Sequence, residues 1–141
     1  IYGALSWKWL TAKYSHSTTA LFGWGQTSGA LNKTNGSGYL EINGAFDLGN
    51  GWGINAHIGD QKIKGNGPAS YTDYKLGVSK DAGYGVFGLA VTGSSSNGSC
   101  TGNAPTNAAV DVYCWGAVAG SGKSAYDAGK SAVVLSFSKA F

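Results

Sequence analysis

A chain of 141 residues is at most one domain, and with only 12% charged residues it carries about half of the ~25% usual for soluble domains. The net charge of +3 comes without a basic cluster, which gives no footing for nucleic acid. Hydrophobic residues make up 43% of the chain, yet no run approaches the ~18 apolar residues of a spanning helix, so a helical membrane protein is excluded while a β-barrel stays open. Glycine is abundant, 24 residues beside two prolines, which suits β-structure with many turns and disfavours helices.

In chain order, Ile1 to Ser6 reads as a strand, and Trp7-Lys8-Trp9 reverses it into a second strand ending near Ser17. There Leu10, Ala12 and Tyr14 alternate with Thr11, Lys13 and Ser15. A Gly/Ser/Thr/Asn-rich loop from about Thr18 to Ser37 carries Leu21, Phe22 and Trp24 near its start. The third strand, about Gly38 to Phe46, sets Leu40, Ile42, Gly44 and Phe46 against Tyr39, Glu41, Asn43 and Ala45, and Asp47 to Gly51 forms a turn. The fourth, near Trp52 to Gln61, alternates Ile54, Ala56 and Ile58 with Asn55, His57 and Gly59, then enters a loop from Lys62 to Ala69. The fifth, about Ser70 to Lys80, opposes Thr72, Tyr74, Leu76 and Val78 to Tyr71, Asp73, Lys75, Gly77 and Ser79. After the turn Asp81 to Gly85, the sixth sets Phe87, Leu89 and Val91 opposite Gly88, Ala90 and Thr92. The longest loop, about Gly93 to Lys130, precedes a closing strand from Ser131 to Phe141, in which Val133, Leu135, Phe137 and Phe141 fall on one face.

Connections alternate short and long, the asymmetry of outer-membrane barrels with tight periplasmic turns and long outer loops. Trp7, Trp9, Phe46, Trp52, Tyr84 and Phe141 cluster near the short turns, as one aromatic girdle of a barrel would. A strand of ~10 residues rising ~3.3 Å each and tilted ~40° covers ~25 Å, the height of an apolar membrane band.

The terminal Phe141, in phase with the stripe of its strand, resembles the closing strand of bacterial outer-membrane β-barrels. A more specific likeness lies in Tyr14 to Thr18, Leu21 to Gly23, Gly36 to Gly65 and Ser70 to Gly93. Together these resemble the C-terminal half of the TorF-family porins of proteobacterial outer membranes, with the segment Tyr71-Thr-Asp-Tyr-Lys-Leu-Gly-Val-Ser-Lys80 the most telling part. The resemblance implies an outer-membrane barrel wall more firmly than a solute. The family's upstream strands have no counterpart in this chain, and the resemblance does not extend to the cysteine-containing loop.

Lys13, Glu41, Asn43, Asn55, His57, Asp73 and Lys75 all lie opposite the apolar stripe, the lumen side of a barrel. They read either as a polar channel lining or as cross-strand pairs that plug a narrow barrel. Cys100 and Cys114 are the only cysteines. In an exported chain a disulfide between them is expected, ahead of free thiols or a metal site, since the only histidines, His16 and His57, lie far from the pair in sequence. Ala117 to Ser124 comes within one residue of the phosphate-loop pattern, but it runs from a Gly/Ser loop into a strand, where no helix N-terminus could face a phosphate. No acid, base and nucleophile set is recognisable, so neither an enzyme nor a cofactor is expected.

The expected architecture is therefore an all-β, antiparallel transmembrane β-barrel of the bacterial outer membrane, with about seven strands spread over residues 1–141 as a single domain. The expected function is a porin-like channel for passive diffusion of small polar solutes. The alternative is a structural or surface-interaction barrel whose outer loops or sheet edges contact partner chains. With the C-terminus on the periplasmic side, Ile1 falls outside, and seven strands break the even count of single-chain bacterial barrels. Upstream strands, another chain or a homo-oligomer is therefore expected to complete the wall in the lipid bilayer.

Overall fold

A computed structural model of the chain describes residues 1–23, 33–101, 104–105, 111–115 and 124–139. Seven strands form one antiparallel meander: β1 (Tyr2–Trp7), β2 (Leu10–His16), β3 (Gly38–Gly49), β4 (Trp52–Lys62), β5 (Tyr71–Asp81), β6 (Val86–Ser94) and β7 (Ala132–Ser138). Each strand pairs with its neighbour in sequence. The expected all-β class and seven-strand antiparallel wall are present. The sheet is open and not closed into a barrel, with β1 and β7 as its edges.

Strand ends move by one to three residues from the sequence reading. β3 runs on through Asp47 and Leu48 to Gly49, because a bulge between Asp47 and Gly49 absorbs one residue and Asp47 Oδ1 accepts the Gly49 N–H at 2.7 Å. That leaves Asn50-Gly51 as a two-residue hairpin turn with φ of 52° and 75°, the Asn-Gly pairing whose twist suits the flanking strands. Between β1 and β2 the turn is Lys8-Trp9 alone, with Lys8 at φ 54°. The terminal Ala140 and Phe141, Trp24 in the first long connection, and most of the phosphate-loop-like segment (residues 117–123) lie outside the described residues.

Alternation carries through the register. Ile42 stands opposite Ile58, Leu76 opposite Val91 and Leu89 opposite Leu135 on one face; Lys13 opposite Glu41, Asn43 opposite His57 and His57 opposite Lys75 occupy the other. The exposures are inverted relative to a protein that folds around an oily core. Leu76 is 61% exposed, Leu135 81% and Leu5 82%, whereas the side chains of Glu41 and His57 are only 14% and 19% exposed. Leu40, Ile42, Ile54, Ile58, Phe87, Leu89, Val91 and Phe137 are exposed on the apolar face, and Val78 is half-buried. Among the described residues the only buried hydrophobic side chains are Ile63 and Ala69, both in the β4–β5 connection.

The long connections knit together at one end of the sheet. Buried Thr34 and Ser37 anchor the β2–β3 connection: Thr34 Oγ1 accepts from the Leu21 N–H at 2.9 Å, and Ser37 Oγ accepts from the Lys64 N–H of the neighbouring connection at 3.0 Å. The β6–β7 connection leans on the same place, with Asn97 Nδ2 donating to Pro68 O at 3.0 Å and the Tyr113 hydroxyl donating to Ala69 O at 2.7 Å. Burial pushes the Tyr113 hydroxyl up to about 12, so it remains a donor across ordinary pH. Cys100 and Cys114 are joined, as expected, within this connection.

Closing a loop of this length contributes about 3 kcal/mol against the open one. Intact mass of the folded, non-reduced protein should be two hydrogens lighter than the reduced chain, with no thiol open to alkylation; two alkylatable thiols would contradict the pairing.

Candidate functional site

Strand alternation and register bring the polar groups together. Lys13 on β2 faces Glu41 on β3, and Lys13 Nζ donates to Glu41 Oε1 at 2.8 Å while lying 5.5 Å from the centre of the Tyr2 ring on β1. The other Glu41 oxygen, Oε2, accepts from Asn43 Nδ2 at 3.2 Å. A carboxylate accepts only from a donor, so this bond turns the Asn43 carbonyl toward β4, where Oδ1 lies 2.7 Å from His57 Nδ1. On the far side of the ring, His57 Nε2 lies 2.7 Å from Asp73 Oδ1 on β5. The result is an unbroken chain of polar contacts across four strands, Lys13 to Asp73.

Tyr39 completes it, and the sequence reading passed over this residue. Its hydroxyl donates to Asp73 Oδ2 at 3.0 Å and stands 3.0 Å from His57 Nε2. The reach across β4 is possible because Gly59, diagonal to Tyr39, has no side chain: a Cβ there would overlap the tyrosine ring. The available signal was phase, since Tyr39 shares the alternation of Glu41 and Asn43, together with a glycine one register step away on the next strand.

Both nitrogens of His57 therefore face oxygen atoms. A ring carrying two protons serves Asn43 and Asp73 together, whereas a ring carrying one leaves an acceptor facing an acceptor. Among the described residues, no group of three or more His, Cys, Asp or Glu is arranged to hold a metal ion.

Asn55 and Lys75 share this face but stand outside the chain of contacts. The Asn55 side chain folds over Gly77, where its Oδ1 is buried and has no hydrogen-bond partner among the described residues. Lys75 is exposed and pairs with no carboxylate among the described residues. The two line a pair of hollows of about 250 and 400 Å³, the first also bounded by Thr11, Asn43 and His57, the second by Thr92, Ala90 and Ser136. Of the seven polar residues singled out by sequence, five form one network, and two, Asn55 and Lys75, stand outside it.

The short-turn end carries an aromatic belt. Trp9 meets Phe46 edge-on at 6.2 Å, Tyr84 meets Phe87 edge-on at 6.0 Å, and Phe87 packs on Phe137 at 4.8 Å. Lys8 lies 4.8 Å from the centre of the Trp7 ring and Lys80 lies 5.2 Å from that of Trp52. Five of the six aromatic residues placed at this level by sequence are there; Phe141 lies outside the described residues, and Phe87 and Phe137 join the group.

Compared with known families, the chain matches over residues 1–141 the family described as "Bacterial protein of unknown function (Gcw_chp)", and it belongs to that family. No curated protein and no solved structure matches it.

If Gly59 is what admits Tyr39, Gly59→Val should cost more than Tyr39→Phe. The Phe variant loses one hydroxyl and its bond to Asp73, about 1 to 2 kcal/mol, while the Val variant displaces the ring and both of its contacts. Denaturant titration of the folded protein would rank the two, and the reverse order would contradict the assignment.

Proposed function

We propose that this member of a bacterial family of unknown function forms the wall of an outer-membrane β-barrel and acts as a porin-like channel for passive diffusion of small polar solutes, the aqueous lumen being its functional site. The observation that carries the reading is the inverted sidedness of the sheet. Burying a leucine, isoleucine or phenylalanine is worth ~1.5 to 3 kcal/mol. A row of them left exposed from β1 to β7, with carboxylates sheltered behind, suits lipid on one side and water on the other. The alternation of short turns with long connections and the aromatic belt at the short-turn end support the same reading. The resemblance of Gly36 to Gly65 and Ser70 to Gly93 to the TorF-family porins points the same way.

A lipid-embedded sheet must have no edge, because each unpaired backbone group in hydrocarbon costs several kcal/mol. In an antiparallel meander of seven strands the first and last run in the same direction, so only an odd number of further strands closes the wall with every pairing antiparallel. A second copy related by rotation about the barrel axis would bring β7 of one chain beside β1 of the other in parallel. The reading thus favours closure by an odd number of further strands over closure by a symmetric pair of these seven.

A second reading has a specific observation behind it. The chain of contacts from Lys13 to Asp73 braces the polar face, and the long connections are bonded to one another, as in a structural barrel that presents its outer loops to a partner.

Reconstitution of the full-length protein in a planar bilayer separates the two. Stepwise, ohmic conductance is the expected outcome, and a folded, inserted protein without conductance would favour the structural barrel. Arg in place of Leu76 or Leu89 should lower stability in lipid by ~2 to 4 kcal/mol, against ~1 or less for Thr92→Arg on the opposite face. Equal costs on the two faces would reject the membrane assignment altogether.

A further inference from the structure

Resting on the channel reading above, the pairing of the lumen charges gives it a substrate class. We propose that the lumen favours small anions, that Lys75 is the selecting charge, and that the preference exists while His57 carries its second proton.

The argument is one of local balance. Lys13 and Glu41 are in contact at 2.8 Å, so at the scale of a passing ion they cancel. His57 and Asp73 are in contact at 2.7 Å and cancel when the ring is doubly protonated, the state that satisfies both Asn43 and Asp73. Lys75 is then left over, mid-strand and exposed, directly opposite His57 in the register. When His57 gives up that proton, Asp73 is uncompensated, and it lies two residues along the same face from Lys75, ~7 Å away. The two opposite charges then offset each other, and the preference disappears.

The groups that face His57 are few. From β3 they are Tyr39, Glu41, whose Oε2 lies 3.9 Å from Nδ1, and Asn43; from β5 they are Asp73 and Lys75. On its own strand the same face carries Asn55 and Gly59, and beyond Lys75 the facing positions on β6 and β7, Thr92, Ala90, Val134 and Ser136, are uncharged. Asp47 and Asp81 share the face but sit at the short-turn end, where their carboxylates accept the Gly49 and Gly83 N–H groups at 2.7 Å. Asp81 is six residues from Lys75, ~20 Å along the strand, well beyond the ~8 Å screening length of physiological salt. A narrow aqueous passage with one unbalanced fixed charge favours the counter-ion, and histidine is the side chain whose charge ordinarily changes across the physiological range.

The test is the reversal potential of the full-length protein in a planar bilayer under a potassium chloride gradient, at about pH 5 and about pH 8, values that bracket the ordinary histidine range. The unaltered protein should favour chloride at the lower pH and shift toward zero at the higher. His57→Gln should abolish the shift and leave the potential near zero at both, which also separates His57 from His16, the other histidine. Lys75→Gln should move both values toward potassium, giving near zero at the lower pH and a cation preference at the higher. Lys13→Gln with Glu41→Gln, which removes a balanced pair, should leave the pH dependence in place. A reversal potential that is the same at both pH values, or a shift that survives His57→Gln, would overturn the proposal while leaving the channel standing. If His57→Gln does not insert, Lys75→Gln decides alone, and no change from the unaltered protein overturns it. Absence of any conductance would instead remove the channel reading on which the proposal rests.

Discussion

Among the described residues, no pair of apolar layers holds this sheet together. The only continuous interaction running through all seven strands is the backbone hydrogen-bond ladder, and every other feature depends on it. In water such a ladder, with leucines exposed on one side, has little to set against the conformational entropy of ordering the chain. In a medium without competing donors and acceptors the same ladder becomes obligatory, because an unpaired N–H or C=O there has nowhere else to bond. On the channel reading proposed above, the large apolar side chains would meet hydrocarbon and the small or polar ones water.

The polar face is organised around one strand position. His57 on β4 is flanked by β3 and β5, so it can touch groups from both, and the register hands it Asn43 on one side and Asp73 with Lys75 near it on the other. Glycine makes the room: Gly59 lets Tyr39 cross over, and Gly77 gives the Asn55 side chain a floor to lie on. The same device recurs on the opposite face, where a Cβ at Gly38 would meet the Tyr14 ring and one at Gly93 would meet Tyr74. Tyrosine over glycine fills the gap that a missing side chain leaves in a pleated surface, and it holds the register across neighbouring strands without adding bulk.

Much of this was legible beforehand because a period of two is an unusually strict code: once Leu40 is assigned to one side, Glu41, Asn43 and Tyr39 must be on the other. The identity of the polar cluster followed from that, and so did the seven strands. Which members would touch did not, since contact depends on cross-strand register, and the bulge at Asp47 and Gly49 shows how a single inserted residue alters it. Tyr39 shares the polar face by alternation, but alternation alone does not show its hydroxyl lying beside both Asp73 and His57. Alternation puts Phe87 and Phe137 in the apolar stripe, and their direct opposition in the β6–β7 pairing places them in the aromatic belt as well. Closure of the wall lies beyond any alternation pattern, since strand count and edge partners are not local properties.

The meander order carries a consequence for how the sheet is assembled. From β3 to β6 no connection is longer than the stretch between Lys62 and Tyr71, so these pairings close modest loops and have low contact order. The pairing of β6 with β7 is different, because the chain travels from Ser94 to Ala132 before returning, and the entropy of closing a loop rises with its length. The bond between Cys100 and Cys114 takes 14 residues of sequence separation out of that journey, so β7 searches for its place on a shorter effective tether. In an oxidising compartment the covalent link thus serves the docking of the last strand as well as the firmness of the loop that contains it.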